Sequence, residues 1–184
     1  TPPAGTSFAR VAASAALMLA LTLDGRVVAW GVNPPTIPTL PTGVHFTDVC
    51  AGYAHALLLR SDGMIEAVGL NTDGQTAVPP LPPGLTYVSI ATGDSHSLAK
   101  RSDGTWIAWG LNADGQCNIP SPPAGLAFAA VDGGQDTTVA LRSDGRVVAW
   151  GYSATQMVAP SALDGSLGIL DLAISEGNCM ALRE

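Results

Sequence analysis

The sequence predicts an all-β fold, a β-propeller of four-stranded antiparallel blades, of which about four and a half units are present. Three observations predict it. The pair Asp-Gly recurs at Asp24-Gly25, Asp62-Gly63, Asp103-Gly104 and Asp144-Gly145, at steps of 38, 41 and 41 residues. Each pair is followed by Trp30-Gly31, Val68-Gly69, Trp109-Gly110 or Trp150-Gly151, and preceded ten residues earlier by Ser14, Gly52, Gly93 or Gly134. Between these markers the apolar runs are short and bounded by Gly and Pro, and none keeps an i, i+3, i+4 period, so almost no helix is expected.

Each unit opens on an aromatic residue, Phe8, Phe46, Tyr87 or Phe128, and Ile169 continues the series. The units are therefore 8–45, 46–86, 87–127, 128–168 and a partial 169–184, all within one domain spanning 1–184. In the second unit, Phe46–Ala51 reads as a first strand and His55–Arg60 as a second. Asp62-Gly63 is the hairpin between the second and third strands, because tight hairpins need positive φ. Met64–Gly69 is the third strand, Asn71–Gln75 a loop, and Thr76–Val78 a short fourth strand ended by Pro79. Runs such as Val139–Leu141 and Val147–Trp150 are apolar without alternation, as in strands buried on both faces. Units of this size must stack on their neighbours to cover those faces. Arg10 followed by the apolar stretch from Val11 to Leu23 has the look of a secretory leader, but the repeat assigns it to the first two strands of unit one.

Composition narrows the function. Of 184 residues, 47% are hydrophobic and 12% charged, enough apolar surface for a packed core. Eight Lys and Arg against fifteen Asp and Glu give a net charge of −7, a poor match for a nucleic-acid backbone, so no nucleic-acid partner is expected. No uncharged apolar run reaches 18 residues, so no membrane-inserting helix is expected. Cys50, Cys117 and Cys179 are far apart and odd in number, and read as three small thiols rather than a disulfide framework or a zinc site. Asn71-Thr72-Asp73-Gly74 and Asn112-Ala113-Asp114-Gly115 lack the third acid and distal Glu of a calcium loop. No nucleophile elbow, phosphate loop or catalytic carboxylate pair is present. The expectation is a non-enzymatic protein with no cofactor and no metal.

Strand parity sorts the charges. The first turn of each unit and the loop after its third strand share one face, which carries Asp73, Asp94, Asp114, Asp136 and Glu176 and no Lys or Arg. The hairpins and linkers share the other, with Arg26, Arg60, Lys100, Arg101, Arg142, Arg146 and Arg183. The acidic face could steer a basic partner, although Asp is also common in turns for backbone reasons. Tyr53 and Tyr152, together with Asp73, Asp94, Ser95, Asp114, Gln135 and Asp136, are the candidate binding residues. Trp30, Trp109 and Trp150, with Gly52, Gly93 and Gly134 and with His55 and His96, hold repeat positions and read as structural. The histidines are expected to hydrogen-bond the local turn.

These motifs carry a family resemblance over essentially the whole chain. Gly-x-x-His, Ser-Asp-Gly, Ala-Trp-Gly and Asn-x-x-Gly-Gln, present at Gly93–His96, Ser102–Gly104, Ala108–Gly110 and Asn112–Gln116, resemble the regulator of chromosome condensation repeat. The link Gln75–Pro79 is most similar to the bacterial branch, which includes beta-lactamase inhibitor protein II. Departures are clear: Leu17 and Thr137 replace the histidine in units one and four, Asn178 replaces it in unit five, Val68 replaces Trp, and unit one has Asn33-Pro34-Pro35 instead of the Asn-x-x-Gly-Gln loop. The resemblance implies a seven-bladed ring, of which this chain is then a fragment, and a secreted or cell-surface bacterial setting. It implies binding rather than catalysis. The first turns here hold a single aromatic, Tyr53, so the resemblance does not extend to beta-lactamase inhibition. Carbohydrate binding, and a structural role in a larger secreted protein, are the alternatives to protein binding.

Overall fold

The computed structural model describes residues 7–152 and, beyond them, the backbone of two strands, Ile169–Ser175 and Asn178–Arg183. All regular structure among the described residues is β. The first blade holds β1 (Phe8–Ala13), β2 (Leu17–Thr22) and β3 (Val27–Gly31), and the second β4 (Phe46–Ala51), β5 (His55–Arg60) and β6 (Ile65–Gly69). The third holds β7 (Tyr87–Thr92), β8 (His96–Arg101) and β9 (Trp106–Gly110), and the fourth β10 (Phe128–Gly133), β11 (Thr137–Arg142) and β12 (Val147–Gly151). Finally, β13 (Ile169–Ser175) pairs with β14 (Asn178–Arg183). Every sheet is an antiparallel meander in chain order. In each, the register slips just after the opening residue, so every first strand carries the same bulge.

The stretch from Phe8 to Thr22, with its leader-like apolar run, forms β1 and β2. The expected fourth strand at Thr76–Val78 does not form. After Gln75 the chain turns, with Ala77 N–H donating to the Gly74 carbonyl at 2.9 Å and Val78 N–H to the Thr76 carbonyl at 3.0 Å. Pro79 and Pro80 come next and have no N–H to give a ladder. The described blades are therefore three-stranded.

The middle strand of each described blade is buried almost throughout, as its unbroken apolar runs require. Cores form between blades. Leu17, Leu19 and Leu21 pack with Phe46, Val49 and Leu58, Leu57 and Leu59 with Tyr87, Ile90 and Trp109, and Leu98 with Phe128, Val131 and Trp150. The opening aromatics Phe46, Tyr87 and Phe128 are buried, whereas Phe8 and Val11 of β1, and Met18 of β2, are exposed. Backbone bonds tie neighbouring blades at both ends. Phe46 N–H donates to Gly25 O and Tyr87 N–H to Gly63 O at the hairpin end, while Tyr53 N–H donates to Asp94 O and Asp94 N–H to Gly134 O at the opposite end.

Candidate functional site

At the end of the blades opposite the hairpins, the loops of the second and third blades are set by their own side chains. Asn71 Oδ1 accepts from Thr76 N–H and Gln75 Oε1 from Asp73 N–H, both at 2.9 Å. In the next blade Asn112 Oδ1 accepts from Cys117 N–H at 2.9 Å and Gln116 Oε1 from Asp114 N–H at 3.0 Å. The two glutamines are fully buried. This explains the Asn-x-x-Gly-Gln pattern: Asn and Gln replace backbone partners the loop cannot offer itself.

The Gln backbone carbonyls anchor the next blade. Gln75 O accepts from Ser97 Oγ–H at 2.8 Å and Trp109 Nε1–H at 2.9 Å. His55 Nε2 lies 3.0 Å from the same Ser97 Oγ. One blade on, Gln116 O accepts from Thr138 Oγ1–H and Trp150 Nε1–H, both at 2.8 Å, and His96 Nε2 lies 2.9 Å from Thr138 Oγ1. Because each hydroxyl gives its proton to the carbonyl, the imidazole must supply the other, which places a proton on Nε2. His55 and His96 therefore do not bond the local turn as expected. They latch one blade to the next, because the hydroxyl lies on the second strand of the following blade.

The latch is missing as a unit between the first two blades. Leu17 stands at the His position, no Asn-x-x-Gly-Gln loop precedes, and Ala56 and Val68 stand where Ser97 and Trp109 would be. All are packed in one apolar cluster. Deleting one partner would strand the others in the interior, whereas deleting all of them leaves an ordinary apolar interface. Ser97, Thr138 and the carbonyls of Gln75 and Gln116 were not singled out by sequence. The signal was present in these joint departures of units one and two.

Burial holds both latch histidines neutral, their pKa values pulled down from 6.5 to about 4. The unfolded chain takes up these protons near pH 6.5, the folded chain only near 4. Their stabilising contribution is thus full above 6.5 and declines as pH falls towards 4, by at most roughly 3 kcal/mol per histidine. Denaturant titrations at pH 7.5 and 4.5 should show this loss. The His55→Gln/His96→Gln variant should lose less over the same interval, since the carboxylates it retains titrate in both proteins.

Trp109 and Trp150 are buried between blades, while Trp30 and Val68 are half-buried. Gly52, Gly93 and Gly134 are buried. Tyr53 is 53% and Tyr152 73% exposed. Asp73, Asp114 and Gln135 are exposed, and Asp94, Ser95 and Asp136 half-buried. The first turns and the loops meet through Leu70 N–H to Ala54 O, Leu111 N–H to Ser95 O and Tyr152 N–H to Asp136 O. Gln116 Nε2 reaches Asp136 Oδ1 at 3.5 Å, and burial, then the charge of Asp114, raise the Asp136 pKa. Glu176 lies outside the described residues.

At the hairpin end, Arg26 pairs with Asp24, Arg60 with Asp62 and Glu66, and Arg142 with Asp144. Arg10 of β1 pairs with Asp48 of β4 at 3.0 Å, and burial nonetheless raises the Asp48 pKa. The first strands of the four blades line a central concavity of about 700 Å³. No three His, Cys, Asp or Glu residues cluster to hold a metal among the described residues. Burial pushes the Cys117 thiol up to about 11 and raises Cys50 further, so neither is a ready thiolate. No helix among the described residues is long and apolar enough to cross a membrane.

Stacked antiparallel blades around a central concavity define a β-propeller chain. Residues 46–75, 87–116 and 128–154 match the family described as the regulator of chromosome condensation (RCC1) repeat. The chain is thus a β-propeller whose second, third and fourth repeats are similar to that family. Solved structures agree in fold. Prp20p from Saccharomyces cerevisiae, studied for its binding to Gsp1p and histones, superposes with a TM-score of 0.68 at 23% identity over 80% of this chain and 44% of its own. The ectodomain of the Physcomitrella patens receptor kinase CR4 gives 0.74 at 20% identity over 99% of this chain and 51% of its own. Human WBSCR16 gives 0.66 at 21% identity, with 80% and 48% covered. The chain thus spans about half the length of these structures. No curated protein matches it.

Proposed function

We propose that this chain is a non-enzymatic protein-binding module that uses the face formed by the first turns and the loops after the third strands to capture a protein or peptide with a basic surface. The observation that carries the reading is the pairing of exposed Tyr53 and Tyr152 with Asp73, Asp94, Asp114 and Asp136, on a face where no Lys or Arg appears in the repeat units. A tyrosine offers apolar area with one polar tip and is a frequent interface anchor. Neighbouring acids would add steering and rim contacts. The reading is consistent with Prp20p, which binds Gsp1p and histones. Carbohydrate binding by repeated pockets would need an exposed aromatic in each blade, and burial of Trp109 and Trp150 counts against it.

The test is capture kinetics. A partner isolated by pull-down should associate about tenfold more slowly with the Asp73→Asn, Asp94→Asn, Asp114→Asn, Asp136→Asn variant at low ionic strength, with the difference fading as salt rises. Charge reversal of Arg60 and Arg142 at the opposite end should change the rate far less. If the arginine changes abolish capture and the aspartate changes do not, the face is wrong.

A further inference from the structure

Three hairpins share one framework but differ in how their arginine is neutralised. Arg60, Arg101 and Arg142 occupy the same register position, opposite Phe46, Tyr87 and Phe128. Arg60 meets Asp62 through both Nε and Nη2, and its Nη1 donates to Glu66 at 2.6 Å. Arg142 meets Asp144 in the same fork, Nε at 2.8 Å and Nη2 at 2.6 Å. Arg101 has the corresponding acid, Asp103, but makes neither bond.

Asp103 is bonded instead to Thr105. The threonine N–H and hydroxyl both donate to Asp103 Oδ1, at 2.9 and 2.6 Å. At the same position Met64 and Arg146 give only a long backbone contact of 3.3 Å, which leaves Asp62 and Asp144 free to turn to their arginines. Ile107 stands where Glu66 stands in the second blade, so no second acid compensates. Arg101 is half-buried, and its Nε is buried with no hydrogen-bond partner among the described residues. A buried donor of a permanently charged group left unpaired is costly and calls for an anion.

We propose that Arg101 is a carboxylate-binding site for an Asp or Glu side chain of a partner protein. The two sister hairpins show which chemistry fits this guanidinium: a carboxylate on its Nε and Nη2 edge, which at Arg101 requires the side chain to swing its buried Nε outward. The ligand takes the place that Thr105 denies to Asp103. This site is at the opposite end of the blades from the proposed capture face, so the two readings stand or fall separately.

Acetate is the probe, with the arginine Nε–H resonances of the full chain as readout. The Arg101 resonance should shift saturably, with Arg60 and Arg142 unmoved. Thr105→Met, the residue of the second blade, frees Asp103 to fill the fork. It should weaken the acetate response at least about fivefold, as an internal ion pair competes. Adding Asp103→Asn to Thr105→Met should restore the response, which separates competition from misfolding. Equal shifts at all three arginines, no saturable shift at Arg101, or an undiminished response in Thr105→Met would each overturn the proposal. Sulfate or phosphate binding tighter than acetate would overturn the carboxylate assignment.

Discussion

Replacing Trp109 with alanine should destabilise the chain by about 3–5 kcal/mol, the range for removing a large buried side chain. Trp109 is 8% exposed and packs with Leu57, Leu59 and Ile65 of the preceding blade. Its indole N–H also donates to Gln75 O across the interface. The two contributions can be separated. Trp109→Phe keeps most of the apolar contact but drops the donor, leaving Ser97 as the carbonyl's remaining side-chain partner. It should cost about 1–2 kcal/mol, the scale of one buried hydrogen bond plus some lost packing. Trp30→Ala should cost less than Trp109→Ala, because Trp30 is only half-buried. Denaturant midpoints for the three variants check the order. A loss below about 1 kcal/mol for Trp109→Ala, the range of surface changes, would contradict the burial of this side chain.

Gly93→Ala should be comparably damaging, by about 3 kcal/mol or more, through overpacking rather than a cavity. A Cβ on Gly93 would sit 2.1 Å from His96 Cε1 and 2.3 Å from Gly134 O. Neither group can retreat easily. The imidazole is held by Thr138, and the Gly134 carbonyl accepts from Asp94 N–H. The methyl must therefore push the latch or the cross-blade backbone bond apart. Combining Gly93→Ala with His96→Ala should cost less than the sum of the single changes, since the ring that clashes is gone while the carbonyl remains. Thermal denaturation of the single and double variants reads this coupling; strict additivity would mean the ring and the glycine do not interact.

Much of the blade was legible in the chain itself. The Asp-Gly pairs mark hairpins, and all four of their glycines have φ between 78° and 87°, the region those turns need. The opening aromatics begin strands, and the unbroken apolar runs became the buried middle strands. Local chemistry decides these features, so a local pattern reveals them. The fourth strand misled because Thr76–Val78 has strand-like residues. A ladder there is denied by its neighbours: the turn at Gly74–Ala77 bends the chain away, and Pro79 and Pro80 have no N–H to donate.

The role of the histidines was not legible in that way. Gly52-x-x-His55 looks like a self-contained turn, yet the group that meets His55 is Ser97, 42 residues away. A hydrogen bond between blades depends on how neighbouring sheets are stacked, and no single repeat encodes that. The state of Arg101 is similar in kind. Ser-Asp-Gly reads identically in three units, and only the positions of the atoms show that one of the three acids is bonded to a threonine rather than to its arginine. The sequence alone determined the blades and their hairpins, since each depends on residue type and local pattern. The tertiary structure decided which polar groups are joined, because those partners are brought within about 3 Å by packing between blades rather than by the chain's own local geometry.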